Sequence, residues 1–91
     1  MAERTVTIAS ASGLHARPAA LFVRAAGQQP AVVTVTNAAG RTANARSMLA
    51  VLALGANRGD TVTLSAEGDG AEESVAALAD LLTRDLDAAP A

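Results

Sequence analysis

The chain has no cysteine, no tryptophan and no tyrosine, and one phenylalanine, Phe22. Without thiols there is neither a disulfide frame nor a thiolate-held metal. A single histidine, His15, leaves no second imidazole for a metal site, so neither metal nor cofactor is expected. One aromatic cannot build a base-stacking platform. A net charge of −2 and a pI near 5.1 offer no basic face, so nucleic acid is excluded as a partner. The longest apolar run, Met48–Leu54, falls far short of the roughly 20 residues that span a bilayer. Met1-Ala2-Glu3-Arg4 lacks the apolar core of a signal peptide. No membrane insertion is therefore expected, and a cytoplasmic location follows from the same reading. The seven basic residues are all arginine, which carries no functional weight.

What is present is apolar patterning. With 91 residues, 51% of them hydrophobic, the chain can bury one modest core. A single domain over residues 1–91 is expected, with 1–2 and 87–91 frayed. Thr5-Val6-Thr7-Ile8, Val33-Thr34-Val35-Thr36 and Thr61-Val62-Thr63-Leu64 alternate polar with apolar residues, the period of a strand with one buried face. Asn37-Ala38-Ala39-Gly40 supplies turn residues, so Ala31–Thr36 and Arg41–Asn44 read as a hairpin. The second of these strands is short and polar, as suits a sheet edge.

Helical spacing marks three further segments. Ala16–Gly27 carries Ala19, Phe22, Val23 and Ala26 at core spacing, with Gly27 and Pro30 ending it. Ser47 to about Leu54 forms a short helix closed by Gly55. Gly70 or Ala71 to Leu86 buries Val75, Leu78, Ala79 and Leu82, and Asp69 with Glu72 resembles a capping box. The order β-α-β-β-α-β-α implies two layers. This is an α+β open-faced sandwich: an antiparallel sheet with one wet face and helices on the other.

The chemistry concentrates in Gly13-Leu14-His15-Ala16-Arg17-Pro18-Ala19-Ala20. An unperturbed histidine titrates near neutrality, so its ring is partly uncharged and nucleophilic. Pro18 belongs in a first helical turn, where its missing N–H costs nothing. His15 therefore sits at or just before a helix N-terminus, where free N–H groups and the helix dipole favour an anion. The backbone N–H groups of Ala16 and Arg17 are candidates to hold phosphate. The fork of the Arg17 guanidinium matches phosphate oxygens. Gly13 reads as a turn residue that sets the direction of His15. The plain alternative is a surface or capping histidine with no chemistry, beside a solvated arginine.

That stretch resembles the active-site motif of HPr, the histidine-containing phosphocarrier family of the phosphoenolpyruvate-dependent sugar phosphotransferase system. Ala45-Arg46-Ser47-Met48-Leu49 through Leu54-Gly55 resembles the family's second signature, around its regulatory serine. Spacing, length and element order agree over nearly the whole chain. The resemblance implies a four-stranded antiparallel sheet covered by three helices. It implies that His15 takes phosphate on Nδ1 from Enzyme I and passes it to the EIIA domains of sugar permeases, with Arg17 neutralising the phosphate. The protein would be a carrier in a relay, not an enzyme, and a monomer.

Ser47 is a helix N-cap in any reading. The resemblance also makes it a candidate for regulatory phosphorylation, with an HPr kinase/phosphorylase as a further partner. Met48, Leu49, Val51, Leu52 and Leu54 leave almost no polar side on the second helix. Val51 and Leu54 fit the core. Met48, Leu49 and Leu52 then form a docking patch, bordered by Ala20 and Arg24 on the first helix, unless all are core. Three departures from the family pattern stand out. The hairpin turn is one residue longer, Ala16 replaces a residue that often carries a hydroxyl, and the tail past Leu86 differs. Two rival roles use the same chain. One is a nitrogen-type regulatory carrier. The other is a binding module that docks a transcription factor through helices 1 and 2.

Overall fold

The structure, a computed structural model, describes residues 1–84. Seven elements follow the expected order: β1 (Ala2–Thr7), α1 (Ala16–Gly27), β2 (Thr34–Asn37), β3 (Thr42–Asn44), α2 (Met48–Ala53), β4 (Thr61–Ala66) and α3 (Ala71–Leu82). The strands form one antiparallel sheet in the order β1-β4-β2-β3. The short polar strand β3 lies at one edge, as its composition demands. At the other edge, Ala2 is buried and paired with Ala66, where a frayed end was expected. The 87–91 tail lies outside the described residues.

Side-chain alternation separates the two faces. Thr5, Thr63, Thr36 and Thr42 are in register across all four strands and point to the uncovered face. The Thr5 and Thr63 hydroxyls there hydrogen-bond at 3.0 Å. Hydroxyls on an open face keep it wetted and give other sheets little apolar surface to grip. Val62, Leu64 and Val35 turn the other way, under the helices, and are buried. Helix α3 packs on β1 and β4, while α1 packs beside both α2 and α3.

Each expected helical stripe meets this core. On α1, Pro18, Ala19, Phe22 and Ala26 are buried, and Val23 packs against the core half-covered. The Phe22 ring is fully buried, worth roughly 1.5–3 kcal/mol of transfer free energy. On α3, Val75, Leu78, Ala79 and Leu82 are buried, together with Ser74. The Ser74 hydroxyl accepts the Ala31 N–H at 3.1 Å, which pairs both polar groups inside the core.

Boundaries shift where local chemistry overrides pattern. Asp69 makes no capping box: the residue before α3 is Gly70, at φ +78°, and no side chain caps the helix. A Cβ on Gly70 would lie 2.5 Å from the Pro30 ring, so close packing of that ring dictates a glycine there. Helix α3 ends at Leu82, with Thr83 as its cap, short of the expected Leu86. Leu86 itself is outside the described residues. The Leu82 carbonyl accepts the Ala9 N–H at 3.1 Å, and the Ser10 hydroxyl donates to the Arg84 carbonyl at 3.2 Å. These bonds tie the start of the β1–α1 loop to the end of α3. Ser74→Ala should lower unfolding free energy by about 1–3 kcal/mol, because the Ala31 N–H would stay buried without its acceptor. Urea denaturation followed by circular dichroism measures this.

Candidate functional site

The β1–α1 loop delivers His15 to the head of α1. Gly13 closes a turn, its N–H bonded to the Ser10 carbonyl at 2.9 Å. Leu14 is 1% exposed and serves as the apolar anchor of the loop. Its N–H donates to the Ala56 carbonyl at 2.9 Å, across to the loop between α2 and β4. The two loops touch backbone to backbone at Gly13. A Cβ there would meet the Ala56 oxygen at 2.6 Å and the Asn57 Cα at 2.7 Å. Gly13 also adopts φ +67°. Conformation and space each require glycine.

His15 is the N-cap of α1, extended at φ −131° and ψ 164°, and its side chain makes no capping bond. The imidazole is therefore not consumed by its own helix. Its Nε2 lies 3.2 Å from Asn57 Oδ1. The first intrahelical bond runs from the Ala19 N–H to the His15 carbonyl at 3.4 Å. The N–H groups of Ala16 and Arg17 thus precede the helical ladder, and Pro18 has none to offer. Two backbone donors remain at the positive end of a 12-residue helix, beside an imidazole. Ala16 holds φ +48°, which costs an alanine on the order of 1 kcal/mol. The strain is sustained by the anchored Gly13-Leu14 on one side and the buried Pro18 on the other.

Arg17 is exposed and makes no ion pair among the described residues, so its fork is available to a ligand. Ala20 and Arg24 are exposed further along α1. Ser47 caps α2, its Oγ accepting the Ala50 N–H at 3.3 Å. Val51 and Leu54 are buried as expected. Leu49 stands out at 81% exposure, whereas Met48 and Leu52 are half-buried against the core. The apolar patch is thus one prominent leucine flanked by two partly covered side chains. Arg46 steadies this region by donating from Nη2 to the Gln29 carbonyl at 2.8 Å and from Nε to the Ala26 carbonyl at 3.3 Å. Asn37 does the same for the far end of α2, donating to the Leu54 carbonyl at 3.0 Å.

Asn57 is the site residue that reading the sequence missed. Asn57-Arg58-Gly59-Asp60 has the composition of a turn, and nothing local signals a contact with a residue 42 positions earlier. Gly13→Ala should destabilise the fold by about 2 kcal/mol or more, through the left-handed backbone and the clash with Ala56 and Asn57. Thermal unfolding and the His15 NMR signals would report the loss of stability and the displaced ring.

Fold and site together define a small α+β protein built around one surface imidazole at a helix start. The comparisons with known proteins agree. The family model described as "PTS HPr component phosphorylation site" matches residues 2–84. The chain is 48% identical over 90 residues to phosphocarrier protein HPr of Streptomyces coelicolor, covering 99% of this chain and 97% of that one. It is 44% identical over 82 residues to phosphocarrier protein HPr of Vibrio cholerae, covering 90% and 95%. Among solved structures, it resembles HPr-C-His from Thermoanaerobacter tengcongensis at a TM-score of 0.85 and 44% identity, covering 90% and 91%. The chain belongs to the HPr family of phosphocarrier proteins. Membership implies a phosphoryl-relay component of the phosphotransferase system, with partners such as Enzyme I and EIIA, rather than a catalyst of its own reaction. No helix among the described residues is long and apolar enough to cross a membrane.

Proposed function

We propose that the protein accepts a phosphoryl group on His15 from phospho-Enzyme I and hands it to EIIA domains of sugar permeases. One observation carries this reading. The imidazole stands uncommitted to its own cap, next to two helix-terminal N–H groups that no helical carbonyl can reach. In the forward step, the lone pair of a neutral ring nitrogen forms the N–P bond. The bond from phosphorus to the donor breaks, and its electron pair returns to the donor. By family resemblance the attacking atom is Nδ1. The N–H groups of Ala16 and Arg17 and the Arg17 guanidinium then hold the three phosphoryl oxygens as charge develops on them. In the second step the N–P bond breaks toward the acceptor and its pair returns to the ring. The protein contributes position and charge; the driving force resides in the phosphoramidate.

Docking falls to α1 and α2. Leu49 offers the apolar anchor, Met48 and Leu52 its flanks, Ala20 a low surface that admits a partner, and Arg24 attraction for acidic partners. Phosphate on Ser47 would add nearly two negative charges in this face while sitting at a helix start that tolerates them. It would weaken docking and leave the fold intact.

Incubation with phosphoenolpyruvate and Enzyme I tests the relay. An acid-labile, alkali-stable phosphate should appear on wild type and be absent from His15→Ala. A panel of EIIA acceptors from sugar and nitrogen-type systems then separates the two kinds of relay. A folded wild type that takes no phosphate contradicts the proposal. Leu49→Glu should slow transfer at least about fivefold, the scale of an interface anchor. It should change stability by less than about 0.5 kcal/mol, since the side chain is already in water. Single-turnover transfer kinetics and urea denaturation check the two halves.

A further inference from the structure

We propose that Asn57 is a positioning residue for His15, holding the proton on Nε2 and so presenting Nδ1 to the phosphoryl donor. The inference rests on the relay reading and gives that reading a residue outside the recognised motif.

The geometry begins with the 3.2 Å contact between His15 Nε2 and Asn57 Oδ1. A carboxamide oxygen only accepts hydrogen bonds, so the ring nitrogen facing it must donate. In a neutral imidazole the other nitrogen, Nδ1, then carries the lone pair. The neighbouring chain keeps Asn57 in place. Its backbone N–H donates to Asp60 Oδ2 at 2.8 Å, and the Asp60 N–H returns a bond to the Asn57 carbonyl at 3.0 Å. The same turn is bolted to the end of β1, by Ile8 N–H to the Asp60 carbonyl at 3.0 Å and Gly59 N–H to the Ile8 carbonyl at 2.9 Å. On its other side the Ala56 carbonyl holds Leu14, next to His15 itself. Imidazole and carboxamide are thus mounted on two loops locked to each other.

The placement matters in both directions of the relay. When Nδ1 attacks, the N–P bond forms from its lone pair and the proton on Nε2 stays where it is. When the phosphoryl group departs, the N–P bond breaks and its pair returns to Nδ1. With Nε2 still protonated, the ring leaves as neutral imidazole. Without that proton it would have to leave as an imidazolate anion, a far poorer leaving group. An acceptor fixed at Nε2 therefore selects the attacking nitrogen and keeps the phosphorylated ring ready to discharge. No proton needs to enter or leave the site during either transfer.

The experiment combines nitrogen-15 NMR of the His15 ring with single-turnover phosphoryl transfer, in wild type, Asn57→Ala and Asn57→Gln. Wild type with the ring neutral should show the Nε2–H tautomer. The Ala variant should show a larger share of Nδ1–H and transfer about 3- to 10-fold more slowly, the scale of one hydrogen bond. Glutamine keeps the carboxamide on a longer stem and should recover most of both properties. An Ala variant with wild-type tautomer and rate overturns the proposal. So does a Gln variant as impaired as Ala, which would assign the effect to loop packing. The tautomer is read without any donor. A wild type with Nε2–H that nevertheless takes no phosphate would therefore sink the relay and leave the Asn57 contact standing.

Discussion

The site depends on one backbone-to-backbone contact, the closure of the Gly13-Leu14 loop against Ala56-Asn57. Leu14 donates across the gap, and Gly13 lets the chains approach to a distance no side chain would permit. The proposed site hangs from this clasp. It fixes where α1 starts, aims the His15 ring at Asn57, and sustains the left-handed Ala16 that follows. A single surface imidazole on a free loop would sample many directions, and a phosphoryl donor would meet the right one rarely. Clasped between two anchored loops, the ring is already oriented, which is the main thing a protein can contribute to phosphoryl transfer.

The rest of the fold serves as a platform for that clasp. Helices cover one face of the sheet, and the threonine-lined face is left to water. The strand order places β4 next to β1, so the turn leading into β4 abuts the end of β1 and the loop that follows it. Chain segments more than 40 positions apart are thus brought together by the sheet, not by local sequence. The second helix lies beside the first and carries the exposed Leu49. Arg46 and Asn37 each spend side-chain bonds on holding the two ends of that region.

Much of this was legible in the residues themselves. Threonine–valine alternation gave the strands, the short polar strand gave an edge, and the spacing of Phe22 or Leu78 gave the buried stripes. Ser47 announced its own cap. Pro18, with the histidine before it, located the helix start. What could not be read was anything fixed by packing across the chain. Asp69 resembled a cap, but the close approach of Pro30 required Gly70 there instead. Ala2 looked terminal, yet strand pairing with Ala66 buried it. Met48 and Leu52 could not be divided between core and surface until α2 had a neighbour. Asn57 was silent because its meaning lies in a distant loop.

The direct test of the proposed relay and its geometry is which ring nitrogen of His15 carries the phosphorus. Phosphorylated protein labelled with nitrogen-15 shows this through the phosphorus–nitrogen coupling and the ring shifts. Phosphorus is expected on Nδ1 and a proton on Nε2, with that proton protected by Asn57. Phosphorus on Nε2 would contradict it. The nitrogen facing Asn57 would then be the reacting one, and the clasp would be aiming the ring the wrong way.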